Sequence, residues 1–298
     1  MKRAVFLLLI FLPVFLFGQC ALLPTSTTDE IVKHTFYTIS FSKKDKQAEW
    51  VAYLLTRSML TGQSERGNNF RPDPDVPSGS AQLSDYSKSG YDRGHLCPAG
   101  DMTFSDQAMS ETFYLSNMSP QEPAFNRGIW KSLESLVREW AEEEDSIYIV
   151  TGGILSESKG TIGQDRVTVP SRFYKVIYDL TGEKKMIAFI LPNEKGTKPL
   201  QNYVVTVDSV QKITGINFFY CLPDSIQNKL ENTSNISKWD FNIVSTSSTR
   251  RTVQFNGTTD TSNIVSGQKQ CVAITKAGTR CKRTAVTGSN YCWQHQNY

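Results

Sequence analysis

Asp92-Arg93-Gly94-His95-Leu96-Cys97-Pro98-Ala99-Gly100-Asp101-Met102 is the stretch on which the reading of this chain turns. It holds one of only three histidines in 298 residues. Histidine is the side chain whose unperturbed pKa suits a base near neutral pH. Here it stands among an arginine able to meet phosphate, a backbone-permissive glycine and two aspartates. His34 stands alone before Thr35-Phe36-Tyr37, and His295 belongs to a cysteine cluster near the C-terminus. Acid–base chemistry that uses a histidine is therefore expected at His95.

Downstream, the clearest helical pattern lies between Pro123 and Asp145, where Ile129, Trp130, Leu133, Leu136, Val137 and Trp140 recur at helical spacing. At about 100° per residue, Asn126 falls in the middle of that apolar stripe and Glu134 at its edge, about a quarter turn away. An amide aimed at a core is costly unless both its polar atoms are satisfied. Asn126 therefore either caps the helix or offers its carbonyl oxygen to a hard cation, with Glu134 holding that ion's waters. Mg²⁺ suits the second reading, because it keeps several waters and takes only one or two protein oxygens. Asn117, in Tyr114-Leu115-Ser116-Asn117-Met118-Ser119-Pro120-Gln121, is by itself an ordinary turn residue.

Strand signals surround these blocks. Ile147 to Thr151 is a short apolar run closed by Gly152-Gly153, and Tyr203 to Val207 is another candidate strand. Phe173–Tyr178 and Met186–Leu191 flank Thr181-Gly182 as the two arms of a hairpin. Helix and strands segregated in this way indicate an α+β domain over residues 31–223.

Taken together, Asp92-Arg93-Gly94-His95, Ser116-Asn117-Met118-Ser119-Pro120-Gln121 and Asn126-Arg127-Gly128-Ile129-Trp130 with Leu133-Glu134 resemble the signature of the DNA/RNA non-specific endonuclease family, the ββα-metal (His-Me finger) nucleases. The likeness continues in order through Thr151-Gly152-Gly153, Val169-Pro170 with Tyr174-Lys175, and Thr214-Gly215. It implies a central antiparallel sheet, with His95 as general base and Asn126 as direct ligand of a catalytic Mg²⁺. It further implies that Arg93 contacts phosphate or stabilises charge, that Asn117 orients His95 or the phosphate, and that Glu134 holds metal-bound waters. The family also carries an upstream arginine that stabilises the transition state. Arg66 and Arg71 both lie near the matching segment, and Arg66 is taken as the candidate. The chemistry is coherent: phosphodiester hydrolysis needs an activated water, in-line geometry and neutralised phosphate charge. Attack directed at phosphate and sugar reads little base sequence, and the resemblance implies that DNA and RNA are both substrates, cut to leave 5′-phosphates.

The two ends of the chain read differently. Lys2 and Arg3 followed by an almost wholly apolar run from Ala4 to Phe17 make residues 1–19 a signal peptide, the alternative being an uncleaved anchor. The mature protein is then periplasmic or secreted. Lipidation of Cys20 would attach it to a membrane, but Gln19 is not the small residue such a signal uses, so plain cleavage is preferred. Residues 225–270 are rich in Asn, Ser, Thr and Gly and read as a linker. Within 271–298, Cys271, Cys281, Cys292 and His295 could close a tetrahedral structural Zn²⁺ site that staples a small module. Disulfides are the alternative in an oxidising compartment. If zinc takes three cysteines, and Cys97 and Cys221 are a pair or both free, Cys20 is left over.

Net charge is +3, and residues 241–298 alone carry +6 against about −5 for residues 20–240. A polyanion would meet a basic tail. This charge split, with the ambiguous upstream arginine, supports one alternative: a catalytically weak or inactive nucleic-acid-binding surface protein that works through its tail.

Overall fold

The computed structural model describes residues 22–242 together with Val272 and Arg280. The chain divides at Val244/Ser245 into two units, and the account below concerns the first. The signal peptide, Cys20 and the four residues read as zinc ligands lie outside the described residues.

In chain order the elements are β1 (Ile31–Lys33), β2 (Thr38–Ser42), β3 (Gln47–Thr56), α1 (Leu83–Tyr86), β4 (Asp92–His95), α2 (Asp106–Glu111), β5 (Met118–Gln121), α3 (Lys131–Glu144), β6 (Ser146–Gly153), β7 (Ser158–Ile162), β8 (Val167–Pro170), β9 (Arg172–Asp179), β10 (Lys185–Pro192), β11 (Val204–Val205), α4 (Val207–Thr214) and α5 (Asp224–Leu230). Seven strands form one antiparallel sheet in the order β1-β2-β3-β6-β9-β10-β11, while β4 pairs with β5 and β7 with β8.

The strand period of two gives the sheet two buried faces. Val51, Tyr53 and Leu55 of β3, with Phe173 and Ile177 of β9, pack on one side against Leu133, Leu136, Val137, Trp140 and Ala141 of α3. Trp50, Ala52, Tyr174, Val176 and Tyr178 face the other side, where Val207, Val210, Phe218, Phe219 and Leu230 cover them. Lys175 lies between Phe173 and Ile177 and therefore turns toward the α3 side, although it is wholly buried. The lead-in before β1 is tied down by a carboxylate. Buried Glu49 accepts the Thr27 amide at 2.9 Å and the Ser26 hydroxyl at 3.1 Å, besides the Thr27 and Ser40 hydroxyls. Those donors satisfy a charge that the sheet could not otherwise bury.

On the α3 side, β4 and β5 form a two-stranded ribbon pairing Asp92 with Gln121 and His95 with Met118. Gly94 is needed for this approach: a Cβ there would lie 2.1 Å from Cδ of Gln121.

Three expectations change. The strand placed at Tyr203–Val207 shrinks to Val204–Val205, because Thr206 caps α4 by accepting the Ser209 amide. The helix expected from Pro123 becomes regular only at Lys131. Before it, Phe125–Trp130 forms a wider turn interrupted by Gly128 at φ −107°, ψ −112°. Cys97 and Cys221 are neither a pair nor both free: Cys97 is buried and free, and Cys221 is disulfide-bonded.

Packing also continues past residue 223. Leu230 joins the core under α4, and Trp239 lies 4.6 Å from the Trp140 ring, with Phe241 edge-on to it. A chain ending at Asp224 loses this support. Trp239→Ala should lower the unfolding free energy by roughly 3–5 kcal/mol in urea titration, and a loss below about 1 kcal/mol would contradict the packing described.

Candidate active site

The ribbon and the start of α3 face each other across a cleft of about 610 Å³. His95 ends β4 and lines the cleft, while Arg93 comes from the same strand and Asn126 from the turn before α3. Glu134 and Arg138 project from α3 one turn apart, and Arg66 arrives from the loop before α1. Of the two upstream arginines, only Arg66 reaches the cleft. The Arg71 guanidinium is spent on the Asn69 and Ser110 carbonyls and lies 4.0 Å over the Tyr114 ring.

His95 is 7% exposed and packed edge-on against Phe113 at 5.2 Å and tilted toward Phe70 at 6.0 Å. Its Nε2 has no protein partner. Burial, then the nearby Arg66 charge, lowers its pKa to about 3. The imidazole is therefore uncharged at neutral pH and able to accept a proton.

Asn117 does not touch the ring. Wholly buried, it accepts the Cys97 amide at 2.8 Å through Oδ1 and donates through Nδ2 to the Cys97 and Thr112 carbonyls, both at 2.9 Å. Its backbone carbonyl also accepts the Leu96 amide at 3.0 Å. It can orient His95 only through the backbone that follows it, and its polar atoms are unavailable to phosphate.

Asn126 is oriented by Asp92. A carboxylate can only accept, so its 2.9 Å contact engages the Nδ2 amide of Asn126 and leaves Oδ1 free on the other side. Arg127 holds the same carboxylate through Nε at 2.8 Å and Nη2 at 2.6 Å. Burial raises the Asp92 pKa, but the Arg127 and Asn126 hydrogen bonds outweigh it and hold the group below the usual range. Glu134 lies deep in the cleft wall. Desolvation pushes its pKa up to about 7 against the opposing pull of Lys175. An unpaired amide oxygen and a carboxylate whose charge lacks solvation, lining the same cleft, form a donor set that fits a hard dication.

Sequence reasoning missed Arg127, Lys131 and Arg138 as cleft residues. For two of them the signal was available: 131 and 138 stand three residues before and four after Glu134, on one face of α3. Arg138 is anchored by Asp101 at 2.8 Å, and Asp101 also accepts the Tyr53 hydroxyl at 2.8 Å.

Among the described residues, one other group could hold an ion: His34, Asp73 and Asp75, with donor atoms within 4.8 Å of one another. Here the two ring nitrogens face different acids, Nε2 to Asp73 at 3.0 Å and Nδ1 to Asp75 at 3.9 Å. A single ion takes one ring nitrogen. Asp73 already accepts the Ser116 hydroxyl and the Asp75 amide. None of the three lines the cleft, and the group reads as a tie that fastens the Asp73 loop to the residue before Asn117.

Five cationic side chains, Arg66, Arg93, Arg127, Lys131 and Arg138, surround an uncharged imidazole, which is what a polyanionic ester demands of the protein that cuts it. The comparisons place that chemistry in a class, the metal-dependent endonucleases. Residues 22–225 match the DNA/RNA non-specific endonuclease family, and the chain belongs to it. It is 40% identical over 211 residues to nuclease C1 of Cunninghamella echinulata var. echinulata, covering 65% of this chain and 84% of that one. The nuclease of a Nostoc species is 35% identical over 224 residues, covering 70% of this chain and 80% of that one. Human mitochondrial nuclease EXOG is 36% identical, covering 62% of this chain; the match spans only 56% of EXOG. Among solved structures, a chain of the EndoG/EndoGI complex, whose title concerns the mechanism of EndoG inhibition, superposes with a TM-score of 0.62. It is 29% identical and covers 69% of this chain and 90% of that one.

Because the folded-state pKa of His95 lies near 3 and that of an exposed imidazole near 6.5, the unfolded chain binds a proton across that interval and the folded chain does not. Stability should therefore fall as pH drops from about 6.5 toward 3. In the metal-free protein, the NMR signals of the His95 ring should stay flat from pH 8 to 5; a midpoint near 6.5 would contradict the burial described.

Proposed function

We propose that this protein is an exported, Mg²⁺-dependent, sugar-non-specific endonuclease that hydrolyses DNA and RNA to 5′-phosphate products. The observation that carries the reading is the meeting of the buried, uncharged His95 and the unpaired Oδ1 of Asn126 in one arginine-lined cleft. His95 takes the proton from the attacking water. Arg93 and Arg66 hold the scissile phosphate and offset the charge that grows on it, with Arg138 and Lys131 extending the cationic wall. Asn126 would hold Mg²⁺ directly, and Glu134 would hold its waters. When bound, the ion supplies charge neutralisation at the phosphate and at the leaving 3′-oxygen. Asn117 and Asp92 act at one remove, the first on the backbone of the His95 segment and the second on the amide of Asn126.

The family, whose description covers both DNA and RNA, and its named nucleases support the reaction class and activity on both sugars. Placement of Arg66 in the cleft removes one of the two supports for an inactive binder. With supercoiled plasmid and total RNA, the protein should cut both with Mg²⁺ and neither with EDTA. His95→Ala should fold and lose several orders of magnitude in rate. EDTA-resistant cleavage, or a fully active His95→Ala, would overturn the assignment.

A disulfide at Cys221 fits export, since such bonds persist where thiols are oxidised. It also removes the parity argument for Cys20. Within one chain, a bond to Cys20 blocks lipidation of that thiol, and a bond to a tail cysteine takes one ligand from the proposed zinc shell of Cys271, Cys281, Cys292 and His295. Lipid anchor and complete zinc shell therefore exclude each other. Peptide mapping without reduction should show Cys97 alkylated and Cys221 linked; an alkylated Cys221 would contradict the bond.

A further inference from the structure

Asn193 follows directly after β10 and is wholly buried. Its side-chain amide ties the segment that delivers Asn126 to the end of β8. Its Oδ1 accepts the backbone N–H of Glu122 at 2.9 Å, and its Nδ2 donates to the Pro120 carbonyl at 3.1 Å and the Pro170 carbonyl at 3.0 Å. The carbonyl of Glu122 in turn accepts the Asn126 amide at 2.9 Å and the Phe125 amide at 3.0 Å. Asn193 is thus joined to the backbone N–H of Asn126 by two hydrogen bonds across one residue, Glu122. Lys159 reinforces the joint by donating to the Asn193 carbonyl at 2.6 Å and to the Glu122 carboxylate at 3.0 Å.

The same loop meets the far end of the segment. A Cβ at Gly196 would lie 2.6 Å from Cδ1 and 2.7 Å from Cβ of Ile129, so this stretch of backbone is seated directly on the residue after Gly128. Loop 193–196 therefore meets the chain on both sides of Asn126, at Glu122 before the turn and at Ile129 within it.

We propose that Asn193 is a positioning residue which, through Glu122 and with Gly196 against Ile129, sets where Asn126 presents its oxygen to the metal. The proposal rests on the reading of Asn126 as the metal ligand. A ligand's supporting partners typically govern about 10–100-fold in metal affinity.

The test is Mn²⁺ binding to the full-length protein without nucleic acid, followed by electron paramagnetic resonance, with circular dichroism to check folding. Asn193→Ala should weaken Mn²⁺ binding about tenfold while retaining the native spectrum, and cleavage at low Mg²⁺ should be recovered by raising Mg²⁺. Wild-type Mn²⁺ affinity in folded Asn193→Ala overturns the proposal alone. Should that variant not fold, Gly196→Ala decides: it must displace Ile129, and unchanged Mn²⁺ affinity in it overturns the proposal equally. If Asn126→Ala binds Mn²⁺ as well as the wild type, the reading of Asn126 has failed and this inference fails with it.

Discussion

The carboxylate of Asp92 is the joint on which the site depends. It opens the short strand that His95 closes, and it receives both the Asn126 amide and the Arg127 guanidinium from the facing segment. Base and amide oxygen are thereby set relative to one another by one strand and one hydrogen bond rather than by loops free to wander. Arg127 is largely exposed, and ion pairs of that kind add little to stability. What the pair provides is direction: it keeps Asp92 ionised and acceptor-only, so the Asn126 oxygen turns away from it.

Behind this joint the protein buries more charge than a fold needs. Asp101 and Lys175 lie behind the cleft wall that carries Arg138 and Glu134, a balanced group of two acids and two bases. Asp101 is 1% exposed and Lys175 is fully covered, its Nζ without a hydrogen-bond partner and 4.9 Å over the Trp130 ring. Desolvation lowers the Lys175 pKa while Glu134 and Asp101 pull the other way. A core built for stability alone would place apolar side chains here. Functional sites commonly keep such locally unfavourable arrangements, and the close packing of α3 on the sheet offsets them.

Much of this was legible in the residues. The strands of the hairpin appear in the structure as β9 and β10, as expected of short aromatic and β-branched apolar runs on either side of a turn. His95 stood out because few side chains can serve as a base. Asn126 stood out as a polar residue on an apolar stripe, but the helical projection that located it was not literal, since Gly128 interrupts the helix before it begins. Arg66 and Arg71 could not be separated in advance: loops have no period, and only the competing attractions of Tyr114 and Ser110 remove Arg71 from the cleft. Residues 225–242 read as linker because their composition is polar, yet Leu230 and Trp239 are enough to dock them. Asn193 carried no local signal, because its partners are scattered over more than seventy residues of chain.

The account stands or falls on where the metal is held, and anomalous diffraction from crystals soaked in Mn²⁺ measures that directly. It predicts a peak in the cleft beside Oδ1 of Asn126, on the side away from Asp92. A peak at His34, Asp73 and Asp75 with none beside Asn126 would contradict it.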